Sequence, residues 1–469
     1  MVGNSKTQSA RLFYYAAILL PVCFFSAVFY FNAWAIVSSQ EFVRSPLQWI
    51  FVAFVVCSLL IHYSVSMVGI LFFGVPRLQN SRNVEALQVQ GWDKSKTLVF
   101  CFASQGSNEG VLRDSVRQAL NVARLYDIPA VVELVVEVEP ADPFFRANGC
   151  HVIKVPAAFE TPHGSRFKAR ALHYACEVRK SRHTSLDRVW ILHCDEETLV
   201  TEQCLAGIHK FLQSPGSERK CGAGEIKYNA LSYGLGNMFG LIDSHRTGED
   251  LGRFRFQYKV FKAALFGAHG SFLVIPALVE QQIQFDFGPE GSITEDVYFA
   301  FKARELGIPF VWLEGYVREQ SPISVKDFFK QRARWIHGLL NVCFDRKFSA
   351  KHRIILLSYL AMWRTTIFAG IILLFFITTL PGYPFITGLW LLDLAVIGTI
   401  LLVGGMRNLE EDQHRSAVEK FLIATALFLL SPLICLMETL AVVYGVFSKR
   451  GEFYVVDKIP SREIVTACK

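Results

Sequence analysis

A cluster of carboxylates, Asp195-Glu196-Glu197, is the part of this sequence best suited to binding a metal ion and a phosphorylated substrate. An apolar segment that ends at His193 leads into it. If the chain stays extended through the cluster, the side chains of Asp195 and Glu197 share one face and can reach the same cation. Mg2+ and Mn2+ prefer oxygen ligands and are commonly held by one or two carboxylates together with substrate phosphates. We therefore predict a Mg2+ or Mn2+ site at Asp195 and Glu197; acidic residues at the start of a helix from Glu202 are the alternative.

A second acidic pair, Glu295-Asp296, lies just before an amphipathic segment that begins at Val297. Thr294 fits the N-cap position of a helix, which places both carboxylates in its first turn. The helix dipole is expected to keep Asp296 ionised at neutral pH. An ionised, positioned carboxylate is what a general base needs to take a proton from a sugar hydroxyl. We predict Asp296 as this base and Glu295 as the next candidate, with ordinary capping of the helix as the alternative.

The segment Gln331-Arg332-Ala333-Arg334-Trp335 combines groups that bind phosphate with one that stacks on a sugar. On a helix, Gln331, Arg334 and Trp335 share one face at spacings of i, i+3 and i+4. Because guanidinium groups form bidentate bonds with phosphate, we predict that Arg332 and Arg334, with Gln331, bind a diphosphate. The Trp335 ring can carry the apolar side of an acceptor sugar. An interfacial helix with aromatic anchors and basic side chains would have the same composition.

Short apolar runs alternate with helical patterns in the middle of the chain. The predicted strands and helices are Thr97–Ala103, Leu112–Ala123, Ala130–Val138, Val152–Val155, Phe167–Val178 and Val189–His193. This alternation predicts a parallel α/β sheet. Ligands bind beyond the carboxyl ends of the strands in such sheets, which is where Asn108, Glu137 and Asp195 fall. Gly234–Gly240 lacks the spacing and the preceding strand of a dinucleotide-binding fingerprint, so an oxidoreductase is disfavoured.

Hydrophobic residues make up 52% of the 469 residues, and the mean hydropathy of +0.31 is too high for an ordinary soluble enzyme. The excess is localised in segments that are apolar enough to enter a hydrocarbon layer about 30 Å thick. They are Leu12–Val37 and Trp49–Phe73 before the α/β region, and Ile367–Leu380, Phe385–Gly405 and Phe421–Phe447 after it. Ser431-Pro432 can break the last segment into two helices. Ile354–Met362 fits an interfacial helix or a further span.

This pattern divides the chain into four predicted regions. They are two N-terminal transmembrane helices in residues 1–74, a catalytic domain in 75–348, C-terminal transmembrane or interfacial helices in 349–447 and a cytosolic tail in 448–469. Lys6, Arg11, Arg77 and Arg82 flank the first two spans and favour a cytosolic catalytic domain by the positive-inside rule.

Cysteine spacing and charge limit the classes of function. The eleven cysteines include no Cys-x-x-Cys pair, which argues against a structural zinc site. The net charge of +7 suits a membrane-apposed domain that handles nucleotide diphosphates. We expect no nucleic-acid partner, and the sequence leaves the oligomeric state open.

Taken together, these motifs resemble those of the membrane-bound family 2 glycosyltransferases. The shared features are a D-x-D-like cluster at Asp195, an E-D base motif at 295–296 and a Q-x-x-R-W motif at 331–335. Phe167–Leu172, which contains Lys168, looks like their lysine-containing motif beside the nucleotide, and Gly267–Phe272 looks like their acceptor-side loop. Within the family, the egghead-type β-1,4-mannosyltransferases of animals are similar at 167–172, 193–202, 331–338 and 452–456.

The resemblance implies an α/β, GT-A (Rossmann-like) domain inserted between transmembrane helices. It also implies inverting transfer of mannose from GDP-mannose to glucosylceramide, on an ER or Golgi membrane with the active site facing the cytosol. Asp195 and Glu197 would hold the metal, and Asp296 would be the base. The residues implied in donor binding are Ser104, Glu137, Lys168, Asp195, Gln331, Arg332 and Arg334, and those implied in acceptor binding are His269, Gly270 and Trp335.

Two positions depart from the family pattern. Glu137 stands where many members have an Asp that contacts the base or ribose, and the acidic cluster reads D-E-E rather than D-x-D, which leaves the second metal ligand open. A further segment, Arg253–Lys259, alternates basic and aromatic residues. We predict that it faces the lipid beside the acceptor, with a half-exposed strand as the alternative.

Other functions stay open at this point. The residues do not distinguish a guanine from a uracil nucleotide, so the alternative enzyme is a glucosylceramide synthase or another family 2 lipid or polysaccharide glycosyltransferase that uses a UDP-sugar. A transporter or channel is disfavoured because the apolar segments carry few ionisable residues, with Arg364 and Glu438 among them.

Overall fold

The computed structural model describes residues 64–74, 92–182, 185–228, 238–360, 384–410, 415–448, 454–456 and 458–459. The chain divides into two compact units. The sheet unit contains residues 83–240, 257–357 and 444–469, and the helical unit contains residues 1–82, 241–256 and 358–443. The acidic clusters and the Q-x-x-R-W segment all belong to the sheet unit.

An eight-stranded sheet organises the sheet unit. Its strands are β1 (Thr97–Ser104), β2 (Ala130–Val136), β3 (His151–Lys154), β4 (Val189–Asp195), β5 (Leu199–Val200), β6 (Cys221–Tyr228), β7 (Leu273–Pro276) and β8 (Phe310–Glu319). The spatial order is β3-β2-β1-β4-β7-β6-β8-β5. The first four of these pair in parallel, whereas β7 pairs antiparallel with both β4 and β6. β8 pairs in parallel with β6 and antiparallel with β5.

Helices connect the strands and continue beyond them. In chain order they are α1 (Ser64–Gly69), α2 (Glu109–Leu125), α3 (Pro143–Ala147), α4 (Phe167–Arg182), α5 (Glu202–Leu212), α6 (Met238–Glu249), α7 (Ala277–Ile283), α8 (Glu295–Glu305), α9 (Val325–Phe344), α10 (Pro384–Leu409), α11 (Ala417–Leu429) and α12 (Ser431–Phe447). Residues 350–360 are also helical. Short π-helical turns lie at Ile70–Gly74, Asp250–Phe254 and Gln257–Phe261, and 3-10 turns at Ser217–Arg219 and Glu290–Ser292.

The apolar runs form strands because both faces of the sheet are covered. Leu98 to Phe102 in β1 are fully buried, which is typical of a parallel strand with packing on each side. Helix α2 buries Leu112, Val116 and Ala119 at helical spacing. The parallel register pairs Ala103 of β1 with Asp195 of β4. The carboxyl ends of these two strands therefore meet at one edge of the sheet, where they can build a site together.

The strands and helices predicted for the α/β region are confirmed, with small differences at their ends. The strand predicted over Val189–His193 continues to Asp195, and the strand predicted over Ala130–Val138 ends at Val136. The prediction of a parallel sheet holds for β3-β2-β1-β4 and for the β6–β8 pair, and is wrong for β7 and for the β5–β8 pair. Strand β7 runs antiparallel between β4 and β6, and its short apolar sequence carries no periodicity that could have indicated this direction.

The helical unit has apolar helices where spans were predicted. Helix α10 covers the predicted span Phe385–Gly405, and the predicted break at Ser431-Pro432 is confirmed because α11 ends just before it and α12 begins there. Among the helices that the structure describes, none alone is long and apolar enough to cross a bilayer, but α11 and α12, bent by 57°, meet those requirements as a pair. The predicted spans Leu12–Val37 and Ile367–Leu380, and most of Trp49–Phe73, lie outside the described residues.

The segment Arg253–Lys259 is helical rather than extended, because α6 continues through the π-helical turns that follow it. The strand proposed as the alternative for this segment is therefore wrong. Arg253, Phe254 and Tyr258 are buried. Side chains buried in this way do not form the exposed lipid-facing strip that the alternation of basic and aromatic residues predicted.

Candidate active site

An ion pair between Lys168, near the start of α4, and Asp195, the last residue of β4, lies at the centre of the candidate site. Lys168 Nζ lies 2.5 Å from Asp195 Oδ1 and 3.2 Å from Glu295 Oε1. Phe167, which precedes the lysine, has a φ of 52°. Such a left-handed conformation is unfavourable for a residue with a side chain and is found where surrounding structure imposes it, often at functional sites. The predicted lysine, metal carboxylate and acidic pair are thus brought together.

Burial and charge act in opposite directions on this ion pair. Only 16% of the Lys168 side chain is exposed, and burial alone would lower its pKa. The carboxylates of Asp195 and Glu295 outweigh burial and raise the pKa of Lys168 above its ordinary value. Burial alone would also raise the pKa of Asp195, but the Lys168 ammonium outweighs it and lowers this pKa. Both groups are therefore charged at neutral pH.

Gly270 forms one side of a small space between these charged groups. A Cβ atom on Gly270 would lie 3.1 Å from Lys168 Nζ, 3.3 Å from Asp296 Oδ2 and 3.8 Å from Asp195 Oδ2. A side chain at this position would fill the space, so glycine keeps it open. Gly270, one of the predicted acceptor-binding residues, therefore lies beside the carboxylates of Asp195 and Asp296. His269, another of these residues, precedes it in the chain and is half-buried.

Helix α8 begins as predicted, with Thr294 at the N-cap and both acidic residues in the first turn. The Thr294 side chain makes no capping bond, and within the described part of the chain its buried Oγ1 has no hydrogen-bond partner. Asp296 Oδ1 instead accepts a hydrogen bond from the backbone N–H of Val297 at 2.8 Å. Glu295 is buried, and its carboxylate is the one that contacts Lys168.

The pKa of Asp296 is raised to about 7, first by burial and then by the neighbouring Glu295 carboxylate. Lys168 and the bond from the Val297 N–H lower this pKa, but by less. We expected the helix dipole to keep Asp296 ionised at neutral pH, but burial and the like charge are the larger effects and raise its pKa instead. A pKa close to neutral suits a general base, which must accept a proton during the reaction and release it afterwards.

Ser104 and Asn108, at the carboxyl end of β1, both bind Glu196. Ser104 Oγ donates to Glu196 Oε2 and Asn108 Nδ2 donates to Glu196 Oε1, each at 2.6 Å. Burial raises the pKa of Glu196 above its ordinary value, and the two hydrogen bonds oppose this. These contacts hold the acidic cluster against β1. The role predicted for Ser104 in donor binding stays a prediction.

The acidic cluster is a turn, since the backbone N–H of Thr198 donates to the Asp195 carbonyl at 3.0 Å. The prediction that Asp195 and Glu197 share one face of an extended segment is therefore wrong. Glu197 forms an ion pair with Lys458, whose Nζ lies 2.6 Å from Glu197 Oε1. Both side chains are largely buried. Sequence reasoning missed Lys458 because it lies far along the chain from Glu197, and its nearness to the tail motif at 452–456 was the only local signal.

The Q-x-x-R-W segment lies in the middle of α9, as predicted. The guanidinium of Arg332 lies 4.5 Å from the rings of Phe328 and Trp335, and only 1% of this arginine is exposed. It donates to Gln331 Oε1 at 2.6 Å. Because the guanidinium packs against aromatic rings inside the protein, its predicted contact with phosphate stays a prediction.

Arg334 is the arginine of this segment that acts on the acidic cluster. Its charge is one of those that lower the pKa of Asp195. Its Nη1 donates to the carbonyl of Tyr454 at 3.1 Å, and Tyr454 Oη donates to Asp327 Oδ1 at 2.6 Å. The described part of the C-terminal tail is therefore hydrogen-bonded to α9, the helix that carries the motif. Trp335, the next residue after Arg334, is half-buried.

Glu137, predicted to contact the nucleotide base or ribose, follows β2 and pairs with Arg170 at 2.6 Å. Arg170 also donates to the carbonyl of Phe159 at 3.0 Å. Helix α4 therefore brings two cations, Lys168 and Arg170, to the carboxyl edge of the sheet.

Among the residues that the structure describes, no group of three or more His, Cys, Asp or Glu side chains is arranged to hold a metal ion. The residues nevertheless fit a cation that is held by one or two carboxylates and completed by substrate phosphates. Asp195 Oδ2 borders the space at Gly270, which Asp296 Oδ2 also borders. Carboxylate oxygens of this kind suit Mg2+ or Mn2+ rather than softer metals.

Comparison with known proteins identifies relatives of this chain. Residues 190–406 match the family model described as "Glycosyl transferase family group 2". The β-1,4-mannosyltransferase bre-3 of Caenorhabditis briggsae is 32% identical over 314 residues, and the β-1,4-mannosyltransferase egh of Drosophila melanogaster is 32% identical over 310 residues. Each match spans 65% of this chain and 66% of the relative's own length. The resemblance that the motifs indicated is confirmed.

Among solved structures, the chain matches the mannosyltransferase PcManGT from Pyrobaculum calidifontis in complex with GDP-Man and Mn2+. It is 12% identical with a TM-score of 0.41, and the match covers 83% of this chain and 99% of that one. The family match and the sheet together identify an α/β, GT-A-like glycosyltransferase fold.

Proposed function

We propose that this chain, whose residues 190–406 match the glycosyl transferase family group 2 model, transfers mannose from GDP-mannose to glucosylceramide, with inversion at the anomeric carbon. The observation that carries the proposal is the convergence of Lys168, Asp195 and Asp296 on the space at Gly270. The names of the relatives support mannose and a β-1,4 linkage. The guanine nucleotide and the lipid acceptor rest on the resemblance of the motifs to egghead-type enzymes.

Lys168 and Asp195 form the donor side of the proposed site. The Lys168 ammonium is a fixed, poorly exposed positive charge of the kind that stabilises negative charge developing on a leaving group. Arg334 adds positive charge near Asp195. When bound, a Mg2+ or Mn2+ ion held by Asp195 would neutralise charge on the leaving diphosphate. Glu197 would have to leave its ion pair with Lys458 to act as the second ligand.

Asp296 is the base of the proposed reaction. The acceptor hydroxyl oxygen forms a bond to C1 of mannose while the bond between C1 and the diphosphate oxygen breaks. The hydroxyl proton passes to Asp296, and GDP leaves with the bonding electrons. Because its pKa is raised to about 7, Asp296 can both accept and release a proton near neutral pH. Glu295 contacts Lys168 instead, which favours Asp296 of the two carboxylates.

A lipid acceptor requires a site at a membrane surface, because the alkyl chains of glucosylceramide stay in the bilayer. We infer an integral membrane protein of the ER or Golgi with its catalytic domain in the cytosol. The apolar helix pair α11 and α12 supports insertion, and the basic residues that flank the N-terminal apolar segments support the orientation. Protease added to sealed microsomes should digest the catalytic domain without detergent. Protection of this domain until detergent is added would contradict the orientation.

Transfer assays on membranes that contain the full chain test the reaction itself. Radiolabelled GDP-mannose and UDP-glucose are each supplied with glucosylceramide, with ceramide or with no added lipid. We expect labelled lipid from GDP-mannose only when glucosylceramide is present, and its loss in membranes with equal amounts of Asp195→Asn. Labelled lipid made from UDP-glucose and ceramide would overturn the proposal in favour of a glucosylceramide synthase.

A further inference from the structure

Glu319, the last residue of β8, is a buried carboxylate that accepts hydrogen bonds from two separate loops of the candidate site. Thr198 Oγ1 donates to Glu319 Oε1 at 3.2 Å, and the Ser271 hydroxyl donates to the same oxygen. Only 6% of Glu319 is exposed. A buried carboxylate is unfavourable unless hydrogen bonds satisfy it. These two bonds therefore give the acidic turn and the Gly270 loop a common attachment point.

Thr198 connects Glu319 to the donor side of the site. The backbone N–H of Asp195 donates to Thr198 Oγ1 at 2.9 Å, and the backbone N–H of Thr198 donates to the Asp195 carbonyl at 3.0 Å. A hydroxyl has one proton to donate and lone pairs that accept. The Thr198 hydroxyl donates its hydrogen bond to Glu319. The lone pairs of the same oxygen are therefore free to accept the bond from the Asp195 N–H. The carboxylate therefore fixes the turn that carries Glu196 and Glu197.

Ser271 connects Glu319 to the acceptor side of the site. It is buried and directly follows Gly270, whose backbone borders Lys168, Asp195 and Asp296. Phe272, the next residue, has a φ of 49° and is fully buried. This left-handed conformation persists only where neighbouring contacts impose it. The bond from Ser271 to Glu319 is such a contact, and it sits one residue from the space between the carboxylates.

We propose that Glu319 is a positioning residue that fixes the acidic turn at Asp195 relative to the Gly270 loop, and so aligns the donor with the acceptor hydroxyl. The proposal rests on the glycosyl transfer proposed above, with the donor at Asp195 and the acceptor at Gly270. Glu319 itself contacts neither substrate. Its effect is on alignment, where a displacement of about 1 Å lowers the rate by about 10²-fold.

Four variants of the full chain in membranes separate alignment from folding. Glu319→Ala removes both bonds and should lower kcat by about 10²-fold. Glu319→Gln should recover most of that loss, since one amide oxygen can accept both hydrogen bonds. Thr198→Val should raise the KM for the donor, and Ser271→Ala the KM for the acceptor, each by about fivefold, the value of one hydrogen bond.

Ser321→Ala is the matched control, because Ser321 lies two residues after Glu319, is 2% exposed, and its Oγ has no hydrogen-bond partner among the residues that the structure describes. Its kinetics should equal those of the wild type. If Glu319, Thr198 and Ser271 act in folding alone, variants at these positions should have lower melting temperatures and a smaller amount of folded enzyme. Their kcat per folded enzyme and both KM values should then be unchanged. That result would overturn the proposal, as would failure of Glu319→Gln to exceed Glu319→Ala.

The donor and acceptor in these assays are the pair that the wild-type membranes use. If that pair is UDP-glucose and ceramide, the proposed mannosyl transfer fails. The variants then still test Glu319, because the KM for the donor and the KM for the acceptor are both measured with the substrates that the wild type uses. The two failures are therefore distinguishable.

Discussion

Lys168 and Asp195 lie 27 residues apart in the chain and form an ion pair of 2.5 Å at the carboxyl edge of the sheet. The same ammonium lies 3.2 Å from Glu295, the neighbour of Asp296. One cation therefore links the donor-side carboxylate to the helix that carries the proposed base. This arrangement makes the ionisation of Asp296 depend on two neighbours of opposite charge.

The pH dependence of transfer should move in opposite directions when these two neighbours are changed. The base must be deprotonated, so activity should rise with pH through the Asp296 pKa of about 7. Glu295 raises this pKa and Lys168 lowers it. Glu295→Gln should therefore move the rising limb of log(kcat/KM) against pH to lower pH, and Lys168→Met should move it to higher pH.

The measurement is a pH–rate profile for each variant on membranes, with donor and acceptor well below saturation. Both substitutions remove one charge from the same site, so each serves as the control for the other. Shifts in the same direction, or an unmoved limb in both variants, would assign the titration to a group other than Asp296.

Lys458 should compete with the metal ion for Glu197. The ammonium lies 2.6 Å from a Glu197 oxygen, so a divalent cation that uses this carboxylate must displace it. Lys458→Met should lower the Mn2+ concentration for half-maximal GDP binding by at least about fivefold, because the pair is largely buried and even an exposed pair is worth up to about 1 kcal/mol. Lys330→Met is the control, because it also removes a lysine charge beside the C-terminal tail. The Lys330 ammonium lies over the Tyr454 ring, 4.4 Å from its centre, rather than at Glu197. An increase in the required Mn2+ concentration would exclude such competition.

The buried ion cluster around Arg179 should stabilise the fold far more than an exposed pair. Arg179 donates to Glu133 at 2.8 Å and also pairs with Glu280, and all three are almost fully buried. Arg179→Met removes the cation between two buried carboxylates, of which Glu280 keeps its contact with His193, and should lower the free energy of unfolding by about 3–5 kcal/mol. Arg146→Met removes an ion pair with Glu139 in which the arginine side chain is 77% exposed and the glutamate side chain 39% exposed. This substitution should change the free energy of unfolding by less than about 1 kcal/mol. Urea denaturation of the detergent-solubilised chain measures both, and equal losses would contradict the expectation.

The α/β half of the fold could be predicted because its apolar runs and helical spacings are local signals. Phe167–Val178 and Val189–His193 are examples, and both elements are present with slightly extended ends. The direction of β7 could not be predicted, since strand direction depends on how the chain returns to the sheet. The helical state of Arg253–Lys259 was also missed, because alternation of basic and aromatic residues mimics a strand pattern.

The candidate site was predictable as a set of motifs and not as a geometry. Asp195, Lys168 and Asp296 come together as the motifs indicated. The turn at Glu196 and Glu197 was missed because the side-chain bonds that hold it come from β1 and from the tail. Contacts between residues distant in sequence leave no local periodicity, which is also why Glu319 gave no signal.

The turnover of Asp296→Asn tests the central claim most directly. Asparagine keeps the size of the side chain and cannot accept the acceptor proton as a carboxylate does. We expect the rate of mannosyl transfer to glucosylceramide to fall by about 10²-fold or more, while GDP affinity measured by calorimetry stays that of the wild type. A turnover close to that of the wild type, with donor binding intact, would contradict the assignment of Asp296 as the base.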